Sequence, residues 1–189
     1  MVRRFVNIEN LETKFKNILN SQEWILLEED FIKSKYVFLI GNGGNMSIAD
    51  HAAADISRLT DKNAICPGSG TTATSLISDN SFEIWFKKWI EFRLRGITPS
   101  EVLILGFSCS ISGASSASII EALKMAKNRG CKCHVICAQE KKHKVDEINF
   151  INQNVMYYHT SEVISTMLFY QLIYCAGFEC PSIIKKAEQ

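Results

Sequence analysis

Proline is scarce in this 189-residue chain, at 3 residues, and glycine is limited to 10. Such counts exclude collagen-like repetition and proline- or glycine-rich low complexity. A charge of one sign is also lacking: 21 Lys+Arg face 20 Asp+Glu, for a net +1. No global field recruits a polyanion, so nucleic acid is not an expected partner. A disulfide framework is missing as well, because the 7 Cys are odd in number and scattered. With no cleavable N-terminal signal, they read as reduced thiols, and the expected compartment is cytoplasmic. Long apolar runs are absent too. The longest, near the C-terminus, is punctuated by Ser, Thr, Tyr and Gln and is too polar to span a membrane, so no membrane partner is expected.

What remains is a soluble globular composition, 47% hydrophobic and 22% charged. The length suits one domain over residues 1–189, with an N-terminal helical segment (1–35) and an α/β core (36–189). Ile8, Leu11, Phe15, Ile18 and Leu19 recur at helical spacing, and Trp24, Leu26 and Leu27 continue a second stretch. Tyr36 to Ile40 is a continuous apolar run suited to a central parallel strand, and it ends in Gly41-Asn42-Gly43-Gly44-Asn45 before an Ala-rich helix from Met46 to Arg58. The pattern repeats. Asn63 to Cys66 reads as a strand, Thr71 to Asn80 as a polar connection, and Ser81 to Arg95 as a helix with Ser81 as its N-cap. Val102 to Leu105 is the next strand, and a Ser-rich loop from Ser108 to Ser118 leads to a helix that stops at Asn128-Arg129-Gly130. Cys133 to Cys137 and Val155 to Tyr158 read as strands, Lys141 to Lys144 as a solvated loop, and Thr160 to Ala176 as the closing helix. Alternating strands and helices predict a three-layer α/β/α sandwich around a parallel sheet, flavodoxin-like, preceded by helices.

In such folds ligands bind beyond the carboxyl ends of the strands. Two loops there have unusual composition. Gly41 to Asn45 lets backbone approach a ligand at a helix start, although a tight turn alone would also explain it. It is not G-x-G-x-x-G, because position 46 is Met46. In the second loop Ser108, Ser110, Ser112, Ser115, Ser116 and Ser118 crowd around Gly113. Hydroxyls and amides at a helix start can cradle a phosphate without Lys or Arg; an N-cap serine explains one or two of the six. His51 and Asp55, four apart, share a helix face as a metal site, an acid–base pair or a plain surface pair would. Cys131, Cys133, His134 and Cys137 suggest metal at first sight, but the alternating thiols fit one buried strand face. Trp85 and Trp89 read as core or interface anchors.

Together GNGGNMSIADHAAADIS (41–57), SLISDNSFE (75–83) and EVLILGFSCSISGAS (101–115) resemble the sugar isomerase (SIS) domain family, in its sedoheptulose 7-phosphate isomerase (phosphoheptose isomerase) branch. The resemblance implies an aldose–ketose isomerase with a phosphosugar site at the sheet's carboxyl edge, shared between subunits of a homo-oligomer, a tetramer or dimer. Phosphate would fall to Ser108 and Ser110, or to Ser110, Ser112 and Ser115, and sugar contacts to Asn42, Gly43, Asn45 and Asp79. Zinc would lie on His51 and Asp55, with Asp55 at the position of the base that moves a proton between C1 and C2.

The chain departs from that pattern as a divergent member. Asp55 stands where the branch has Glu, one methylene and roughly 1.5 Å shorter. Asn45 stands for Ser. The branch's Gln and His, eight apart on the last helix, fall on Ile164 and Leu172, which leaves zinc with an incomplete set. A one-residue slide reaches Val163 and Gln171 instead, and His159, Glu162 and Tyr170 are candidate substitutes; His159 also reads as a strand-end surface residue. Two functions are therefore expected to compete: an isomerase, and a non-catalytic phosphosugar sensor or tetrameric protein-binding scaffold.

Overall fold

The structure is a computed structural model. It describes residues 6–110, 114–139 and 148–183, without the side chains at 114 and 115. The N-terminal periodicity resolves into α1 (Leu11–Leu19) and α2 (Gln22–Lys33). Ser21 separates them and caps the second, its hydroxyl accepting the Trp24 N–H at 3.2 Å. Then follow β1 (Tyr36–Gly41), α3 (Gly44–Leu59), β2 (Asn63–Ile65), α4 (Gly70–Asp79), α5 (Trp85–Arg93), β3 (Val102–Ser108), α6 (Ala114–Asn128), β4 (Lys132–Cys137), β5 (Asn149–Asn152) and α7 (Tyr158–Cys175). Among the described residues the five strands form one sheet in the order β2-β1-β3-β4-β5, with every pairing parallel.

Alternation along the strands divides the core in two. Val37, Leu39, Leu103 and Leu105 face α2, α3 and α7, whereas Phe38, Ile40, Ile104 and Val135 face α5 and α6. The predicted three layers are present. Trp85 and Trp89 lie in the second core, with Trp89 edge-on to Phe38 at 5.7 Å. Cys131, Cys133 and Cys137 join them as buried thiols, and burial pushes Cys131 up to about 11 and Cys133 further still.

His134 points from β4 to the other face and joins three elements. Its Nε2 lies 2.9 Å from Asp30 Oδ2 on α2, and its Nδ1 lies 2.8 Å from Asn149 Nδ2 on β5. The same Asn149 amide nitrogen donates to the Glu23 carbonyl at 2.7 Å. An amide nitrogen only donates, so the network assigns the imidazole proton to Nε2, whose N–H donates a hydrogen bond to the Asp30 carboxylate. Burial pushes the imidazole's pKa below its ordinary value, more than the Asp30 partnership restores.

Several expectations are corrected. The connection expected over Thr71 to Asn80 is α4, started by the Ser69 hydroxyl accepting from the Thr72 N–H. With Leu76 as its buried residue, it offers too narrow an apolar stripe to be seen. Ser81 does not cap α5, which begins at Trp85 after a turn. The last strand is Asn149–Asn152, where Phe150 and Ile151 are buried. Val155 to Tyr158 instead leads into α7, with Val155 buried and Tyr158 exposed. There the Glu9 carboxylate accepts the N–H groups of Met156 and Tyr157 at 3.1 and 3.3 Å, in place of a capping side chain. His159 is accordingly in the first turn of α7, not at a strand end. It is exposed, with Nε2 2.7 Å from the Asn7 carbonyl oxygen. The helix after the serine loop starts at Ala114, so Ser115, Ser116 and Ser118 belong to α6. Lys141 to Lys144 fall outside the described residues.

Candidate functional site

From β1 the chain leaves into α3 on one face of the sheet, and from β3 into α6 on the other. Between the carboxyl ends of these paired strands lies the crevice that this topology reserves for ligands. A cleft of about 280 Å³ fills it. Its walls are Asn42, Gly43, Gly44 and Asn45 from the first loop, Phe107, Ser108, Cys109 and Ser110 from the second, Ile119 of α6, and Tyr158 and Glu162 of α7.

The glycines are there for room. A Cβ at Gly41 would stand 2.5 Å from the Asn45 carbonyl oxygen. Gly43 has φ +59°, a left-handed conformation that side chains resist. At Gly44 a Cβ would overlap the Glu162 carboxylate, so that carboxylate rests against the opening turn of α3. Asn42 Nδ2 donates to Ser118 Oγ at 3.0 Å and ties the glycine loop to α6. Asn45 is buried beneath the cleft. Its Nδ2 donates to Cys109 Sγ at 3.3 Å, while its Oδ1 has no hydrogen-bond partner among the described residues. A buried acceptor without a partner, in a residue that lines the cleft, is polar capacity that the described protein groups do not use.

In the second loop Ser108 Oγ donates to the Ser110 carbonyl at 2.7 Å, and Ser116 Oγ donates to the same oxygen. These hydroxyls hold the turn, and Ser108, Cys109 and Ser110 line the cleft. Ser112 and the Ser115 side chain fall outside the described residues. Asp79 ends α4, exposed, and does not line the cleft.

His51 and Asp55 do share a face of α3, with His51 Nε2 3.3 Å from Asp55 Oδ2. They are not in the cleft: Asp55 lies ten residues beyond Asn45, about 15 Å along the helix. Arg58 donates to Asp55 Oδ1 at 2.8 Å, and the Tyr170 hydroxyl donates to Asp55 Oδ2 at 2.7 Å. Burial raises the Asp55 carboxyl, but the hydrogen bonds from Arg58 and Tyr170, with the charges of Arg58 and His51, outweigh it and hold the pKa below the ordinary value. The Tyr170 phenol is pushed up to about 12, first by its bond to Asp55 and then by burial. Such a set does not fit zinc. One candidate ligand has both oxygens committed, a guanidinium occupies the place of a cation, and the phenol holds its proton. Among the described residues no three His, Cys, Asp or Glu side chains are grouped as a metal would require.

Ile164 and Leu172 are fully buried in the first core and meet neither cleft nor carboxylate. The face of α7 that does so carries Glu162 and Tyr170, also eight apart. Sequence reasoning named both without orienting them. The signal was the series Glu162, Thr166 and Tyr170 at every fourth position, which puts a carboxylate, a hydroxyl and a phenol on one face of the helix. Cys109, Phe107, Ile119 and Tyr158 were not foreseen as lining residues.

Fold and cleft together define the class: a parallel α/β sandwich that matches the SIS phosphoheptose isomerase structures, with its crevice at the β1/β3 edge. Among solved structures, the phosphoheptose isomerase of Neisseria gonorrhoeae superposes with a TM-score of 0.71 at 20% identity, over 88% of this chain and 91% of that one. The Vibrio vulnificus NanR protein complexed with ManNAc-6P superposes at 0.55 and 15% identity, over 88% of this chain and 58% of that one. In sequence, the phosphoheptose isomerase of a Nitratiruptor species is 31% identical over 114 residues, 57% of each chain. That of Aliarcobacter butzleri is 27% identical over 119 residues, 61% of each. The match thus spans less than two thirds of these curated relatives. No protein-family model matches the chain. Among the described residues no helix is long and apolar enough to cross a membrane.

Proposed function

We propose that this chain is a phosphosugar-binding protein of the SIS type, acting as an aldose–ketose isomerase of the phosphoheptose kind. The observation that carries the reading is the cleft itself, where a serine loop at the start of α6 and the glycine loop at the start of α3 converge on one crevice. The backbone of Ser108, Cys109 and Ser110, which line the cleft on the way to α6, suits a phosphate without a basic side chain. The buried Asn45 Oδ1 offers an acceptor to a sugar hydroxyl. A cleft of about 280 Å³ suits a ligand at the small end of the ordinary range. Likeness to phosphoheptose isomerases in sequence and fold supports the substrate class.

A second reading, a sensor without turnover, draws support from Asp55. A carboxylate held by Arg58 and Tyr170 and kept below its ordinary pKa is a weak base for a C–H proton. Neither reading routes a step through zinc. A homo-oligomer belongs to both, and Val163, Met167 and Tyr174, exposed along α7, would lie in its contact.

Calorimetric titration with sedoheptulose 7-phosphate and N-acetylmannosamine 6-phosphate, each against its unphosphorylated sugar, tests the binding. Two charge-assisted hydrogen bonds to phosphate, near 1.5 kcal/mol each, predict an affinity ratio of at least about 100 for one of the pairs. Equal affinity within both pairs, or no binding of either phosphate, would overturn the reading.

A further inference from the structure

We propose that Glu162, and not Asp55, is the base that moves the proton in this cleft. The inference rests on the phosphosugar reading and assigns its chemistry to a residue. Glu162 is the carboxylate among the described lining residues, and it reaches the wall from α7. Asp55 stands about 15 Å along α3 from Asn45 with both oxygens committed. A base must come within hydrogen-bond reach of the carbon acid, and of the two carboxylates only Glu162 is in the cleft with the ligand.

Charge fixes which end of the ligand lies where. The Glu162 carboxylate rests against Gly44 at the opening of α3, so a phosphate there would meet a like charge. The phosphate is therefore directed to Ser108 and Ser110 on the opposite wall, and the carbonyl end lies toward Glu162. Asn45 Oδ1, buried in the same wall without a partner among the described residues, accepts from a hydroxyl at that end once the ligand displaces the wall toward it. Gly44 has to be glycine for the carboxylate to sit there at all.

The step balances without a co-reactant. Glu162 takes the C2 proton of the open-chain aldose. The C2–H electron pair becomes the C1=C2 bond, and the C1=O1 π pair moves to O1, which takes up a proton as the enediol forms. The enediol's O2 then loses its proton and closes to C2=O2, and the C1=C2 pair takes the proton back from Glu162 at C1, yielding the ketose. The O1 and O2 protons exchange with solvent, so no net proton is gained or lost.

The test follows deuterium entering C1 of sedoheptulose 7-phosphate, and C2 of the aldose formed from it, in D2O by NMR. Wild type, Glu162→Gln and Glu162→Asp are compared, with affinity measured calorimetrically and folding by thermal melting. Wild type is expected to catalyse exchange. Glu162→Gln is expected to lose at least about 100-fold in exchange rate while its Kd stays within about threefold, with Glu162→Asp between the two. Exchange at the wild-type rate in folded Glu162→Gln overturns the assignment. So does wild type that binds sedoheptulose 7-phosphate without exchange, which leaves the sensor reading standing. Failure of wild type to bind either sedoheptulose 7-phosphate or N-acetylmannosamine 6-phosphate removes the phosphosugar reading itself, and binding of the latter alone overturns the assignment, whose step needs a hydroxyl at C2.

Discussion

Removing one oxygen from Tyr170 should show how tightly the Asp55 cluster is held. In Tyr170→Phe the ring remains packed beside His51 and Phe169, while the donor to Asp55 Oδ2 is lost. A hydrogen bond to a charged acceptor contributes about 1.5–3 kcal/mol. Tyr170 is only half-buried and Arg58 remains on the other oxygen, so the low end applies, about 1.5 kcal/mol. At ~2–4 °C per kcal/mol for a chain this size, Tm should fall by roughly 3–6 °C at pH 7. The same substitution in an Asp55→Asn background should cost about 1 kcal/mol less, because the charge it served is gone. The pH dependence has a fixed sign. Asp55 is held below its ordinary value of 3.8, so its contribution is present above that pH and is lost as pH falls through the lower native value. Tyr170 helps depress that value, so the difference between wild type and Tyr170→Phe should shrink in acid below pH 3.8. Urea melts at pH 7 and in acid, in both backgrounds, measure all three. A loss below about 0.5 kcal/mol at pH 7, or an equal loss in both backgrounds, would refute the coupling.

Gly41→Ala and Gly44→Ala should behave differently although both lie in the same loop. At Gly41 the new methyl meets the Asn45 carbonyl oxygen at 2.5 Å and must move backbone, costing about 3 kcal/mol in a denaturant melt. At Gly44 it meets the mobile end of Glu162, so stability should hold within about 1 kcal/mol while calorimetry and exchange report an altered cleft. Leu172→Ala should cost roughly 2–5 kcal/mol in the same melt, as a core cavity does; a loss under about 1 kcal/mol would place Leu172 outside the core. His134, held neutral by burial, should make stability fall as pH drops below its unfolded value near 6.5, where the unfolded chain takes up a proton that the native one resists. That slope, measured by urea melts between pH 7 and 5, should flatten in His134→Gln.

Strands covered on both faces are written in continuous apolar runs, and so β1 and β3 could be read from residues alone. The Gly41–Asn45 and Ser108–Ser118 segments stood out for the same local reason, since turn glycines and clustered hydroxyls need no tertiary context to be noticed. Helix α4 hid because it buries chiefly Leu76, and β5 hid because an aromatic run at 155–158 looked more strand-like than Asn149–Asn152. The position of Asp55 could be predicted but not its company. Arg58 is a turn away in sequence, yet Tyr170 arrives from 115 residues further on, and only the packing of α7 on α3 decides which face it presents. Glu162 was obscured likewise, because α7 is apolar around most of its circumference.

The clasp at the chain's beginning also has a practical use. Glu9 and Asn7 grip the first turn of α7 through Met156, Tyr157 and His159, and Tyr158, next in line, is a wall of the cleft. Whatever shifts Tyr158 on ligand entry must tug on the strand of contacts leading back to residue 7. A spin label or fluorophore carried at exposed Ile8 therefore sits on the outside of the molecule and listens to the inside. By the same token, a bulky fusion partner joined close ahead of Asn7 would load the very contacts that seat that wall.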